Sequence, residues 1–402
     1  MENYRPFTEK DVVAYMQSFS QFFPNHAELV CKEIGDGNLN MVFRVIDQRS
    51  GQSIILKQAL PYPRVVGDSW PLTLDRVRIE AEALEIQAHY APGLVPKLYH
   101  YDEKFALVVM EDLSDHIILR KSLITGKIYP QIANDLAEYL ANTLFFTSDY
   151  YLKSEQKKIK QAQFINPEMC KMTEKLVFTD PYFNAETNSF NPLIQRHIEK
   201  IWKSHLLKKE IAQLKLAFMT KAQALIHGDL HSGSIMVKEN STKVIDPEFA
   251  FFGPMGFDMG ALFANILLSY ISQEAHIANS HARKEYQSWL LWLIEEIWHR
   301  FTEKFRMHWA MYVKDEIFSV SGFVDEVIRE TLQDTAGFAG CKMMRRVIGL
   351  ASLPDFDVID DQELRAKLES AALLIGQYLV LDRKNISQIS DLIAVIEKVK
   401  SS

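Results

Sequence analysis

The sequence predicts an α+β fold in two lobes: a small β-rich N-terminal lobe over residues 1–112 and a larger, mainly helical C-terminal lobe over 113–402. Three observations carry this. Short strand-like runs joined by polar and glycine turns fill most of the first hundred residues. A fully apolar run, Phe105-Ala106-Leu107-Val108-Val109-Met110, stops abruptly at Glu111-Asp112-Leu113-Ser114. Beyond that point helical periodicity dominates to the end of the chain. A chain of 402 residues also exceeds what one simple core organises.

In the N-terminal lobe, Lys32-Glu33-Ile34 leads into Gly35-Asp36-Gly37-Asn38, and Met41-Val42-Phe43-Arg44-Val45 resumes a strand. Ser53-Ile54-Ile55-Leu56-Lys57 is a third strand that ends in a lysine. Apolar spacing from Arg76 to Tyr90 predicts a helix. In the C-terminal lobe, short strands are expected around Leu225-Ile226, Ile235-Met236-Val237 and Lys243-Val244-Ile245. The most apolar stretch, Gly260 to Ile271, is too short to span a bilayer and reads as a buried helix. Trp289, Trp292, Trp298 and Trp309 recur at helical spacing between Tyr286 and Tyr312, which suits core packing or a dimer face.

Composition narrows the function classes. The formal net charge is -7, so no basic excess is present to neutralise a nucleic-acid backbone. The three cysteines, Cys31, Cys170 and Cys341, are far apart and odd in number, which argues against a disulfide framework and a paired-cysteine zinc site. The N-terminal residues lack the apolar run of a signal peptide. A cytoplasmic protein without membrane partners is the expectation.

The segment richest in chemistry is His227-Gly228-Asp229-Leu230-His231, a tight loop delivered by an apolar strand. A second acidic loop, Asp246-Pro247-Glu248, follows the next strands. Magnesium prefers one or two carboxylates together with phosphate oxygens. A further carboxylate can orient a hydroxyl and accept its proton. Asp229 suits that role, and Asp246 with Glu248 suits the metal, since alternate residues of an extended segment share a side. Alone, Asp229 would read as a turn former. His227 and His231 are four apart, but Gly228 and Gly233 disfavour the helix that would make them a zinc pair. A metal hydrolase using His227, Asp229, His231 and Asp246 remains an alternative. Gly35 to Asn40 is compatible with an ordinary hairpin, and Lys57 with a solvated lysine. In order, however, a glycine turn, a strand lysine, a hinge at Glu111-Asp112-Leu113, an acidic loop and a metal acid form the sequence of parts of a kinase. Arg345 and Arg346 are adjacent on a helix, about 100° apart, so at most one is expected to point straight into a site while the other pairs with an acid.

These segments resemble the aminoglycoside phosphotransferase and choline kinase group of the protein-kinase-like fold, and more narrowly the 5-methylthioribose kinases of bacteria and plants. The resemblance rests on Glu33 to Asn40, Ser69 to Arg76, Val109 to Ser114, Ile226 to Ile235, Ile245 to Gly256 and Arg345 to Leu350, in the family's order along nearly the whole chain. It implies ATP-dependent phosphorylation of the C1 hydroxyl of 5-methylthioribose in methionine salvage, by a homodimer. It implies that Gly35, Gly37, Asn38, Asn40, Lys57, Glu111, Asp112 and Leu113 hold ATP, and that Asp246-Pro247-Glu248 holds Mg²⁺ and phosphates. Asp229 is implied as the catalytic base and substrate contact, Arg345 or Arg346 as a sugar contact, and Trp70 as part of a loop over the nucleotide. The chain departs from the broader kinase pattern at three points: Asp246-Pro247-Glu248 replaces Asp-Phe-Gly, Ser234 stands where many relatives carry a metal-binding Asn, and the glycine turn lacks a third glycine. Glu248 is expected to take over the missing Asn's share of the metal. A kinase for choline or an amino sugar, or a non-catalytic nucleotide-binding scaffold, are the alternatives.

Overall fold

The computed structural model describes residues 4–34, 39–62, 71–350 and 353–400. Gly35, Gly37, Asn38 and Trp70 lie outside the described residues. Strands β1 (Leu29–Glu33), β2 (Asn40–Asp47), β3 (Ser53–Ala59), β4 (Leu98–Asp102) and β5 (Leu107–Glu111) form an antiparallel sheet in the order β1-β2-β3-β5-β4. Strand alternation sorts the side chains between two faces. Ile54 and Leu56 of β3 join Phe43, Val45, Leu107 and Val109 under helix α1 (Glu9–Gln17), which contributes Val12 and Met16. Lys57 therefore faces the opposite side, towards helix α2 (Arg76–Tyr90). The expected strand over Phe105–Met110 starts later, at Leu107, because Ala106 takes a left-handed conformation (φ 48°). It closes a polar turn in which the Phe105 N–H donates to the Asp102 carboxylate at 3.1 Å.

After β5 the chain forms β6 (Ile117–Ile118) and helices α3 (Leu119–Ile124), α4 (Ile132–Phe146), α5 (Ser154–Gln163), α6 (Pro167–Leu176), α7 (Gln195–Lys203) and α8 (His205–Thr220). Two small sheets follow. Strand β7 (Ala224–Ile226) pairs with β10 (Phe251–Gly253), while β8 (Ile235–Lys238) lies between β6 and β9 (Ser241–Val244). Helix α9 (Gly256–His276) is buried continuously from Gly256 to Gln273, as its apolar stretch requires. It packs on α10 (Ser280–Tyr312) and α11 (Phe323–Ile348). Trp298 and Trp309 of α10 are buried, and Trp292 is exposed. Helices α12 (Pro354–Asp357), α13 (Gln362–Leu381) and α14 (Ile389–Lys400) complete the chain. Among the described residues, no helix is long and apolar enough to cross a membrane.

Helix α11 carries the arginine pair at its C-terminal end, and its position is set by contact with α13. A Cβ added to Gly340 would lie 2.3 Å from the Gly376 carbonyl oxygen, so the two backbones touch. Gly340→Ala is expected to cost about 1–3 kcal/mol by overpacking, seen as a lowered midpoint in chemical denaturation.

Candidate active site

Strand β7 ends at Ile226 and releases His227 to His231 into a loop with no regular secondary structure. Gly228 has φ 84°, and a Cβ there would meet the Phe249 carbonyl oxygen at 2.2 Å, so only glycine fits. Asp258, in the first turn of α9, accepts from the His227 N–H at 2.6 Å and the Gly228 N–H at 3.0 Å. Burial pushes its carboxyl above the ordinary range. His227 Nε2 donates to the Ile245 carbonyl at 2.9 Å, and its Nδ1 accepts from the Asp229 N–H at 3.3 Å. Both ring nitrogens are thereby occupied, so His227 has no lone pair left for a metal. It ties the two chemical loops together instead.

His231 Nδ1 accepts from the Gly233 N–H at 3.0 Å, which turns Nε2–H towards Asp229 Oδ2, 3.4 Å away. Burial, with Arg346, Arg120 and Lys342 nearby, outweighs the attraction of Asp229 and pushes the imidazole down to about 3. Asp229 Oδ1 accepts from Lys342 Nζ of α11 at 2.9 Å. Burial opposes ionisation of Asp229, but Lys342 above all, with Arg346, overcomes it and holds the carboxyl well below the usual range. Asp229 is therefore a carboxylate at working pH, able to accept a hydroxyl proton.

A dense group of cations lies around this carboxylate, and the buried Asp355 also faces two of them, Arg120 and Arg346. Arg120 of α3 donates from Nε to Ser232 Oγ at 3.4 Å and from its backbone N–H to the Ser232 carbonyl at 3.0 Å. Burial, and then Arg346, pull its guanidinium down to about 10. Burial, and again Arg346, pull Arg345 down to about 9. Arg345 Nη1 is buried without a hydrogen-bond partner. The expected division, with one arginine in the site and the other paired to an acid, is not observed. Neither Arg345 nor Arg346 forms an ion pair among the described residues, and both act electrostatically on the Asp229 region.

The acidic loop lies on the other side of His227. Asp246 is not extended, as the alternate-residue reading required, but left-handed at φ 70°. Its Oδ1 is ion-paired with Lys57 Nζ. Lys57 also donates to Glu80 Oε1 of α2 at 2.8 Å. Burial would lower the Lys57 ammonium, but Asp246, Glu80 and Glu248 together hold it above its ordinary value. Burial raises Glu80, Lys57 opposes, and the other two carboxylates raise it further. Glu248 is 3% exposed, and its Oε2 accepts from Asn40 Nδ2 at 3.1 Å and Arg76 Nε at 3.0 Å. Asn166 Nδ2 donates to the Glu248 carbonyl at 2.9 Å and fixes the backbone.

One ligand oxygen each from Glu80, Asp246 and Glu248 lies within 4.8 Å of the others. Three carboxylates face two cations, Lys57 and Arg76, so the cluster is net negative. Glu248 Oε1 accepts no hydrogen bond among the described residues, and the Asp246 side chain is 42% exposed. An all-oxygen donor set with free lone pairs fits a hard divalent cation such as magnesium.

Asn40, Lys57, Asp246, Pro247 and Glu248 thus converge, and Asp229, Arg345 and Arg346 form the adjoining centre. In the hinge, Leu113 is buried. Glu111 Oε2 accepts from the Lys97 N–H at 3.0 Å, and Asp112 is bound to Arg44 at 2.6 Å and the Ser114 N–H at 2.9 Å. Asp112 therefore supports the turn with its carboxylate. Sequence reading missed Arg76, Glu80, Lys342, Arg120, Asn166 and Asp258. Three of these, Arg76, Glu80 and Lys342, had a legible signal. Arg76 and Glu80 are four apart within the buried stripe of α2, and Lys342, Arg345 and Arg346 share one face by i, i+3, i+4 spacing.

Burial, with the cations nearby, keeps the His231 imidazole neutral at working pH. Its ring resonances in NMR are expected to stay those of neutral imidazole between pH 5 and 8. An unperturbed histidine would titrate near 6.5 in that window.

Residues 30–292 match the model of the phosphotransferase enzyme family. The chain is 45% identical to a methylthioribose kinase of Geobacillus sp. (strain WCH70) over 389 residues, which is 97% of this chain and 95% of that one. It is 44% identical to a methylthioribose kinase of Bacillus cereus (strain 03BB102), covering 94% of this chain and 93% of that one. Among solved structures, a choline kinase from Cryptosporidium parvum superimposes with a TM-score of 0.49 at 13% identity, covering 96% of this chain and 99% of that one. With its α+β fold and its two adjoining charged centres, the chain belongs to the phosphotransferase enzyme family and, within it, to the family of methylthioribose kinases.

Proposed function

We propose that this chain is an ATP-dependent kinase that phosphorylates the C1 hydroxyl of 5-methylthioribose to 5-methylthioribose 1-phosphate, in methionine salvage. The observation that carries the choice of acceptor is the ring of cations around Asp229. Lys342, Arg120, Arg345 and Arg346 crowd around Asp229 with Asp355 alongside, so cations outnumber carboxylates there. Such a recess repels choline and protonated amino sugars, which would want an aromatic cage or a dense acidic surface. It suits a neutral sugar that becomes an anion. Near-full-length similarity to methylthioribose kinases supports the same acceptor.

In this reading residues 1–112 form the ATP-binding lobe and 113–402 the catalytic and substrate-binding lobe. Asn40, Lys57 and the backbone of Glu111-Asp112-Leu113 hold the nucleotide, together with Gly35, Gly37 and Asn38. Trp70 belongs to a loop that covers it. Asp246 and Glu248 hold Mg²⁺, with Glu80 beside them. Bound there, the ion would supply charge neutralisation on phosphate oxygens. Arg76 and Asn40 hold the Glu248 carboxylate in place through Oε2. Asp229 orients the sugar hydroxyl and takes its proton, while Arg345 and Arg346 line the sugar side. We infer a homodimer in the cytoplasm, a compartment in keeping with the three free cysteines.

A coupled ADP-release assay with 5-methylthioribose, ribose, choline and an aminoglycoside tests the assignment. Clear preference for 5-methylthioribose is expected, and equal or absent turnover of it would sink the assignment. Asp229→Ala should lower kcat by about 10²–10⁴-fold while calorimetry finds ATP affinity within a few-fold. Glu248→Gln should raise the Mg²⁺ concentration needed for half-maximal rate. An unchanged rate and Mg²⁺ requirement would remove Glu248 from the metal site.

A further inference from the structure

Lys342 belongs to none of the parts assembled above from the sequence, yet it makes the closest contact to the Asp229 carboxylate. It comes from the C-terminal third of α11, more than one hundred residues later in the chain, and is 7% exposed. Its ammonium also lies 4.8 Å from the centre of the Phe257 ring, which fixes its approach. A lysine buried this deeply needs a counter-charge. Asp229 is that partner. No other carboxylate lies within ion-pair distance of Lys342 among the described residues.

We propose that Lys342 is a catalytic residue of the phosphoryl transfer, which passes from the Asp229 carboxylate to the transferred phosphoryl group as the reaction proceeds. The inference rests on the kinase reading above. The sugar O–H bond breaks and its proton goes to Asp229. The sugar oxygen forms a bond to the γ-phosphorus, the bond from that phosphorus to the ADP oxygen breaks, and ADP leaves with the electron pair. Once Asp229 is neutral, Lys342 loses its one ion-pair partner among the described residues and keeps only the more distant Asp258, in a recess it shares with Arg345, Arg346 and Arg120. The nearest new anion is the phosphoryl group. A hydroxyl about 3 Å from the Asp229 carboxylate brings that group within reach of a flexible lysine stem. The lysine charge is thus withheld from the ground state and released as the acceptor becomes an anion, which is where charge stabilisation accelerates a reaction. The ring of fixed arginines supplies the repulsion that drives the hand-over.

The test compares Lys342→Met, Lys342→Gln and Lys342→Arg with the wild type in three readouts: kcat, inhibition by 5-methylthioribose 1-phosphate made with the wild-type enzyme, and the pH profile of kcat/KM. For Lys342→Met, kcat should fall about 10²–10³-fold, the usual loss for one preorganised donor. The inhibition constant of the phosphorylated product should rise about tenfold or more, while KM for the unphosphorylated sugar and for ATP stay within about threefold. Lys342→Arg should recover part of both losses, and Lys342→Gln little of either. The acid limb should move up in pH, because the groups left facing Asp229 are His231, Arg120, Arg345 and Arg346, without the one that opposes burial most. A changed acid limb with unchanged product inhibition would overturn the phosphoryl contact and leave Lys342 as a positioning residue. A lowered melting temperature with kcat and product inhibition unchanged would leave it structural. If Lys342→Met does not fold, the Gln and Arg variants carry the same comparison. Failure of the wild type on 5-methylthioribose would sink the substrate assignment instead, so the two failures are distinguishable.

Discussion

A single guanidinium with no solvent exposure organises the nucleotide side of the molecule. Arg76 donates from Nη2 to the Leu39 carbonyl at 2.7 Å, the Leu60 carbonyl at 2.8 Å and Asn40 Oδ1 at 3.1 Å. Its Nη1 reaches the Thr73 carbonyl at 2.7 Å and its Nε reaches Glu248 at 3.0 Å. The entry to β2, the exit of β3, the start of α2 and the acidic loop are therefore held by one planar fork. A lysine could not reproduce this, because it offers a point charge rather than five directed donors. Breaking a buried pair of this kind typically costs about 3–5 kcal/mol, since the remaining carboxylate is stranded. The same contact commits one Glu248 oxygen and leaves the other without a hydrogen bond among the described residues.

The two halves of the site carry opposite charge, and each half sets the state of its own working group. Around Glu80, Asp246 and Glu248 acids outnumber cations, which favours the protonated lysine and a divalent ion. Around Asp229 cations outnumber acids, which keeps the base ionised and His231 neutral. His227, bound at Nε2 to Ile245 and at Nδ1 to Asp229, joins the halves. A metal hydrolase would need these histidines to converge on an ion with free nitrogen lone pairs. Their nitrogens are instead committed to the loop and to the Ile245 carbonyl.

Much of this was legible in the sequence because it is local. The strand lysine, the helix from Arg76 to Tyr90 and the loop at Gly228 follow from short-range patterns and from steric needs that a few residues express. The parts that were not legible depend on partners far apart in the chain. Arg76 meets Glu248 across 172 positions and Lys342 meets Asp229 across 113. Asp246 was expected to be extended, the preference of a residue before proline. Its left-handed backbone accompanies an ion pair with Lys57, 189 residues earlier, which no local rule anticipates. The charged stripe of Lys342, Arg345 and Arg346 was visible as a spacing, but its target was not.

The central claim is that Asp246 and Glu248 hold the metal of a nucleotide whose terminal phosphate points at Asp229. The most direct measurement is an anomalous difference map from crystals grown with Mn²⁺ and a non-hydrolysable ATP analogue. The account predicts a manganese peak bonded to Asp246 and Glu248, with the terminal phosphate between that peak and the Asp229 carboxylate. A peak on His227 or His231, or a nucleotide bound without metal contact to Glu248, would contradict it.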